Sequence, residues 1–280
     1  MSDPGCGAIC TPVLMSNPMN VLKRVALAAA LLCSAVGLHA APDDAPAYLT
    51  VCVDDDNAPF SSEARPERGI DVEVAQAIAG QLGRPLKLVW AQVPNRGGIG
   101  KALRQTLSAG KCDAYLGIPQ DPDLAKELAE RKLAMSSPYL LLGYVLVAAP
   151  GKPTPNAAAL RGARRIGVVT ATPADLYLYR KQFARVPYPG NAALIEALKT
   201  GEIDLALVWS SALTGDVGNG LVAATESVDD AELYTGMTVA TRSADATLAK
   251  DIATAIDALR SDGRIDTITQ RYGLPRLSRP

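Results

Sequence analysis

From residue 48 onward, short β-branched apolar runs alternate with amphipathic stretches, and that alternation admits few folds. Strand and helix in repeated succession build parallel sheets with helices on both faces. Residues 49–53 are a continuous apolar run, the pattern of a buried strand. In 69–82 (GIDVEVAQAIAGQL), Ile70, Val74, Ile78 and Leu82 recur at steps of four, one stripe of a helix that Gly83 suits as an end. Strands follow over 86–90 and 113–118, a loop over 93–98, and helices over 101–109 and 121–131.

A long extended apolar segment, 137–151 (SPYLLLGYVLVAAPG), interrupts the pattern and ends in KPTPN, a turn or linker. A second α/β set begins with a strand over 165–169. Thr172 and Pro173 open a helix running to about Phe183, as N-cap and first helical residue. A short strand over 186–188, a helix over 191–200 and a buried strand over 203–209 complete the set. A second extended stretch, 234–241, precedes a final helical region over 245–272. The expected fold class is therefore α/β and bilobal, two α/β lobes joined by two extended crossings. Residues 48–142 make the first part of lobe 1 and 143–235 make lobe 2, while 236–280 carry the return crossing and the helices that rejoin lobe 1. A cleft between the lobes, hinged at the crossings, follows from that path.

The segment before this pattern reads as an address. Residues 19–41 (MNVLKRVALAAALLCSAVGLHAA) carry Lys23 and Arg24, an apolar run over 25–36, then small residues, as a secretory signal peptide does. The run is too short for a stable membrane anchor. Residues 1–40 are read as the signal region, with Met19 as the initiator and cleavage near Ala40; lipidation at Cys33 is the weaker alternative, because Leu32 fits that signal poorly. The expected location is the periplasm. Without Asp3, Lys23 and Arg24, 28 acidic residues face 26 basic ones, so no basic stripe argues for nucleic acid.

Beyond the signal region only Cys52 and Cys112 remain. In an exported protein, two cysteines most economically make one bridge; two free buried thiols are the other reading. The only histidine, His39, lies in the signal region. That removes Ser-His-Asp and Cys-His catalysis, and zinc or copper sites built on histidine. An enzyme of this composition would rest on carboxylates, lysine or tyrosine alone, and no convincing carboxylate pair stands out.

Ligands of open α/β sheets sit outside the carboxyl ends of the strands. Those ends offer Asp54, Asn57, Phe60, Arg96, Ile118, Thr170, Thr172 and Trp209 as candidate cleft residues. The run from Asp54 to Asn57 either binds calcium or forms a turn with Asx-type hydrogen bonds, and its consecutive spacing favours the turn. Arg96 either clamps an anion or is a solvated loop residue. The amides after Thr172 either receive an anion or simply start a helix. Trp209 is either a stacking wall of the cleft or a core aromatic. No metal site and no cofactor is expected.

These segments, LTVCVDDDNAPF, GIDVEVAQAIAGQLG, GKCDAYLGIP, SSPYLLLGYVLVA, the Thr-Pro helix start and IDLALVW, resemble the type II periplasmic solute-binding proteins, bacterial family 3. The likeness spans about 49–273. It implies a non-catalytic receptor that hands a solute to an ABC permease, although a few relatives of this fold act as periplasmic dehydratases. Amino-acid binders of the family usually hold the ligand carboxylate with an arginine after the third strand, and its amine with an aspartate after the strand matching 203–208. Here the first region reads GIPQDPDL and the second places Trp209 at the aspartate position. An ordinary α-amino acid would lose both charge partners. The paired cysteines and LALVW look more like the MxaJ/XoxJ type, which accompanies PQQ-dependent (quinoprotein) alcohol or methanol dehydrogenases and their cytochrome c. That subgroup is usually more aromatic than this chain, which has two tryptophans and two phenylalanines. The resemblance thus implies a quinoprotein dehydrogenase and its cytochrome, or an ABC permease, as partner. A monomer is the default for the fold, and bound PQQ has no support in the residues.

Overall fold

Each early apolar run becomes a strand of one parallel group. The computed structural model describes residues 47–94, 96, 98–224, 228 and 230–277, so the predicted signal region, with Met19, Cys33 and His39, lies outside the described residues. The described residues fall in a unit that begins at Ala45. Its first part runs β1 (Leu49–Asp54), the two-residue strands β2 (Asp56–Asn57) and β3 (Ser61–Ser62), α1 (Ile70–Gln81), β4 (Leu86–Ala91), α2 (Gly98–Gln105), β5 (Ala114–Pro119), α3 (Pro122–Glu130), β6 (Leu133–Met135) and β7 (Leu140–Ala148). Next come α4 (Ala159–Gly162), β8 (Ile166–Val169), α5 (Pro173–Arg180), β9 (Arg185–Tyr188), α6 (Asn191–Lys199), β10 (Leu205–Trp209) and β11 (Val222–Ala223). The chain closes with β12 (Tyr234–Arg242), α7 (Ala246–Ser261) and α8 (Arg264–Arg271).

The main sheet has the order β4-β1-β5-β12-β7-β10-β8-β9. Two parallel groups, β4-β1-β5 and β10-β8-β9, are thus joined through the antiparallel pair of β12 and β7. Those two strands are the extended stretches that the sequence sets apart as crossings.

Alternation along each strand feeds cores on opposite faces. Leu49, Val51 and Val53 pack with Ile70, Val74 and Ile78 of α1 and Ile256 of α7, whereas Cys52 packs on the other side with Ala102 and Leu103 of α2. In the second group, Leu205 and Leu207 meet Leu178 of α5, while Ala206 and Val208 meet Leu194 and Leu198 of α6. Each fully buried Leu or Ile contributes roughly 2 kcal/mol.

Cys52 and Cys112 form a disulfide with Cα atoms 5.8 Å apart, tying β1 to the residues just before β5. Both are at most 1% exposed. The final helical region is two helices, because Gly263 takes φ +75 and breaks it. Such a conformation favours glycine, the usual residue just past a helix end.

Candidate functional site

Trp209 ends β10 and pairs in register with Tyr144 of β7. Their rings meet at 67° with centroids 5.0 Å apart, forming a corner rather than a stack. Trp209 is half-buried and packs against both the first core, with α1 and α7, and the core under α5. It is wall and core at once. Tyr144 and Trp209 line a cavity of about 460 Å³ together with Val169, Thr172, Glu232 and Tyr234. Burial holds the Tyr144 phenol above its ordinary range, with the Thr172 hydroxyl opposing that rise.

The start of α5 is closed by its own side chains. Thr172 caps the helix, its hydroxyl accepting from the Asp175 N–H at 3.3 Å and donating to the Val169 carbonyl at 2.7 Å. Asp175 reaches back to accept from the Ala171 N–H at 3.0 Å, and its other oxygen accepts from Arg185 at 2.5 Å. A helix N-terminus attracts anions through free amides and its dipole. Here a carboxylate of the chain binds the amide just before the N-cap.

A neighbouring cavity of about 550 Å³ shares Thr172, Pro173 and Glu232 and is lined also by Leu176 and Tyr179. These two face solvent at 50% and 65% exposure, large apolar side chains on one side of α5.

On the β1 side, the Asp54 carboxylate accepts from the Asp56 N–H at 3.1 Å, so the acidic run makes an Asx turn. Burial pushes the Asp54 carboxyl up, against the Asp56 hydrogen bond, with Asp55 adding to the rise. Among the described residues no group of three His, Cys, Asp or Glu is placed to hold a metal. Asn57 is half-buried in the β2–β3 ladder.

Phe60 and Ile118 are 6% and 0% exposed and sit in cores, so they do not face an open cleft. Residues of their type at a strand end are drawn inward by burial unless a ligand replaces the core. Arg96 is exposed in the turn before α2 and is not among the residues lining the Trp209 cavity. Thr170 is exposed and donates to the Tyr188 carbonyl at 3.1 Å. The cavity therefore brings together Thr172 and Trp209 of the eight candidates.

Tyr144, Glu232, Tyr234 and Asp71 were not singled out by sequence reasoning. Asp71, on the first turn of α1, is 2% exposed and accepts from the Tyr139 hydroxyl at 2.5 Å. Its carboxyl is pushed up to about 7 by burial, with Tyr139 lowering it and Asp54 raising it further. Tyr139 also donates its N–H to the Met237 carbonyl of β12 at 2.8 Å, where the two crossing strands meet.

Residues 49–275 match the bacterial extracellular solute-binding proteins, family 3. No curated protein sequence matches the chain. Among solved structures, the L-cystine solute receptor of Neisseria gonorrhoeae in its unliganded open conformation is similar at TM-score 0.65 and 21% identity, over 82% of this chain and 94% of that one. MxaJ from Methlophaga aminisulfidivorans MPT is similar at TM-score 0.56 and 21% identity, over 81% of this chain and 99% of that one. The second substrate binding domain of a putative amino acid ABC transporter from Streptococcus pneumoniae matches at TM-score 0.62 and 18% identity, over 80% of this chain and 98% of that one. These likenesses give a shared fold, the bilobal type II binding-protein architecture.

Proposed function

We propose a function from one premise: the chain belongs to the bacterial extracellular solute-binding proteins, family 3. Within that family we read it as a non-catalytic periplasmic accessory of a PQQ-dependent (quinoprotein) alcohol or methanol dehydrogenase, rather than a receptor for amino acids. The observation that carries this reading is Trp209, wedged against two cores where amino-acid receptors usually place the aspartate that takes the ligand amine. The self-capped start of α5 supports it, since the Asp175 N–H is taken by Thr172 and the Ala171 N–H by the Asp175 carboxylate. An α-amino acid entering here would find no cationic side chain for its carboxylate on the described lining, and a buried unpaired charge costs several kcal/mol. The exposed Leu176 and Tyr179 beside the cavity suit contact with another protein.

The test is direct. The oxidised protein, the dehydrogenase and its cytochrome c are mixed at micromolar concentration and run on a sizing column. Co-elution with either partner is the expected result, and separate elution of all three overturns the accessory reading.

A second reading keeps the chain as the receptor of an ABC transporter for a small organic solute that is not an ordinary α-amino acid. The formed cavity of about 460 Å³ favours it. Ligand at 100 times its dissociation constant adds about 2.7 kcal/mol to stability. A thermal-shift panel of organic acids, alcohols, aldehydes, amines, amino acids and PQQ therefore separates the two readings.

A further inference from the structure

We propose that the cavity beside Trp209 is a site for a small organic ammonium ion that carries no carboxylate. The inference rests on the second reading, that this cavity receives a solute, and names its charge class.

The nine described lining residues include no lysine or arginine, and the charged member among them is Glu232. Three of the nine are aromatic: Tyr144, Trp209 and Tyr234. Tyr144 and Trp209 stand at 67°, so the cavity has two aromatic walls in different planes. Tyr234 comes from the adjacent strand, pairing with Gly143 next to Tyr144. Aromatic faces set around a cavity attract desolvated cations through the ring quadrupole, and quaternary ammonium groups are bound this way elsewhere. Glu232 is held in place by Arg180 and adds a carboxylate at the same cavity.

Part of the chemistry that would welcome an anion is already engaged within the chain. The Thr172 hydroxyl is committed in both directions, and the Ala171 amide is bound to Asp175. An incoming carboxylate would meet Glu232 on the described lining, which holds no cationic side chain, while Arg180 and Arg185, the ion partners of Glu232 and Asp175, are not among those lining residues. A neutral alcohol would gain apolar contact but nothing from the quadrupole or from Glu232. A cation gains from both.

Titration calorimetry on the oxidised protein with three matched probes tests this. Choline is the cation, 3,3-dimethylbutan-1-ol its neutral isostere, and glycine betaine the same cation with a carboxylate. Choline is expected to bind at least tenfold more tightly than either of the others, and more weakly as salt is raised. Trp209→Leu should weaken choline at least tenfold, Trp209→Phe only slightly, and Glu232→Gln several-fold, with circular dichroism confirming that each variant is folded. If the neutral isostere or betaine binds as well as choline, the ammonium inference falls while the solute-receptor reading stands. If choline fails and no member of the broader panel shifts the melting temperature, both fall together.

Discussion

Asp71 sits where almost no water reaches its carboxyl, and stability should register that. Its ordinary carboxyl value is 3.8 and its folded value is about 7. Below the ordinary value the group is protonated folded and unfolded alike, and costs nothing. As pH rises through the window between the two values, the unfolded chain gives up its proton first. Folding is then penalised, fully so above about 7, by a few kcal/mol. Replacing it by Asp71→Asn should remove this dependence. In urea unfolding, the wild type is expected to lose stability between about pH 4 and about pH 7 and the variant to lose much less. Parallel curves would show that another group titrates. The same carboxylate also explains Gly117, which takes φ +80 and whose Cβ, if it had one, would fall 2.7 Å from the Asp71 carboxyl. None of this is legible locally. An aspartate in a helix first turn reads as a solvated residue favoured by the dipole, and Tyr139 is 68 positions away.

At the scale of elements, signals confined to a few neighbouring residues were readable. Thr172 and Pro173 announce α5, and the structure has them as cap and first-turn residue. Thr172→Ala should cost about 1 kcal/mol through the lost cap, seen as a melting temperature lower by roughly 2–4 °C; an unchanged value would mean that Asp175 alone holds the helix start. The stripe of Ile70, Val74 and Ile78 likewise fixes which side of α1 is buried. Elements made by distant pairing were not readable. β2, β3 and β11 are two residues each, and β6, of three, exists because β12 lies beside it. Two or three residues carry no period. The closure of α5 by Asp175 was missed for a related reason: its ion partner, Arg185, lies on β9.

Over the whole molecule, alternation of strand and helix patterns disclosed the parallel groups, and the two long extended segments disclosed the strands between them. The cavity was less legible, because Tyr144, Tyr234 and Trp209 come from three strands that only the sheet order makes neighbours. The disulfide acts at this scale too. It joins residues 60 apart in sequence within one parallel group, and closing such a loop in the unfolded chain contributes roughly 4 kcal/mol in the chain-entropy model. The double variant Cys52→Ala with Cys112→Ala should lose about that much in denaturant unfolding under oxidising conditions. A loss near zero would place the stabilisation in packing that alanine can replace.

Trp209 has one more consequence. The chain holds two tryptophans, and the other, Trp90, sits on β4 beneath the Arg68 guanidinium at 5.1 Å. With Trp90→Phe, the indole at the junction of two cores becomes the sole strong ultraviolet emitter. Its emission colour tracks how wet that junction is. Any change at that junction when a solute or partner protein is added can then be followed in real time by light alone, with no dye attached.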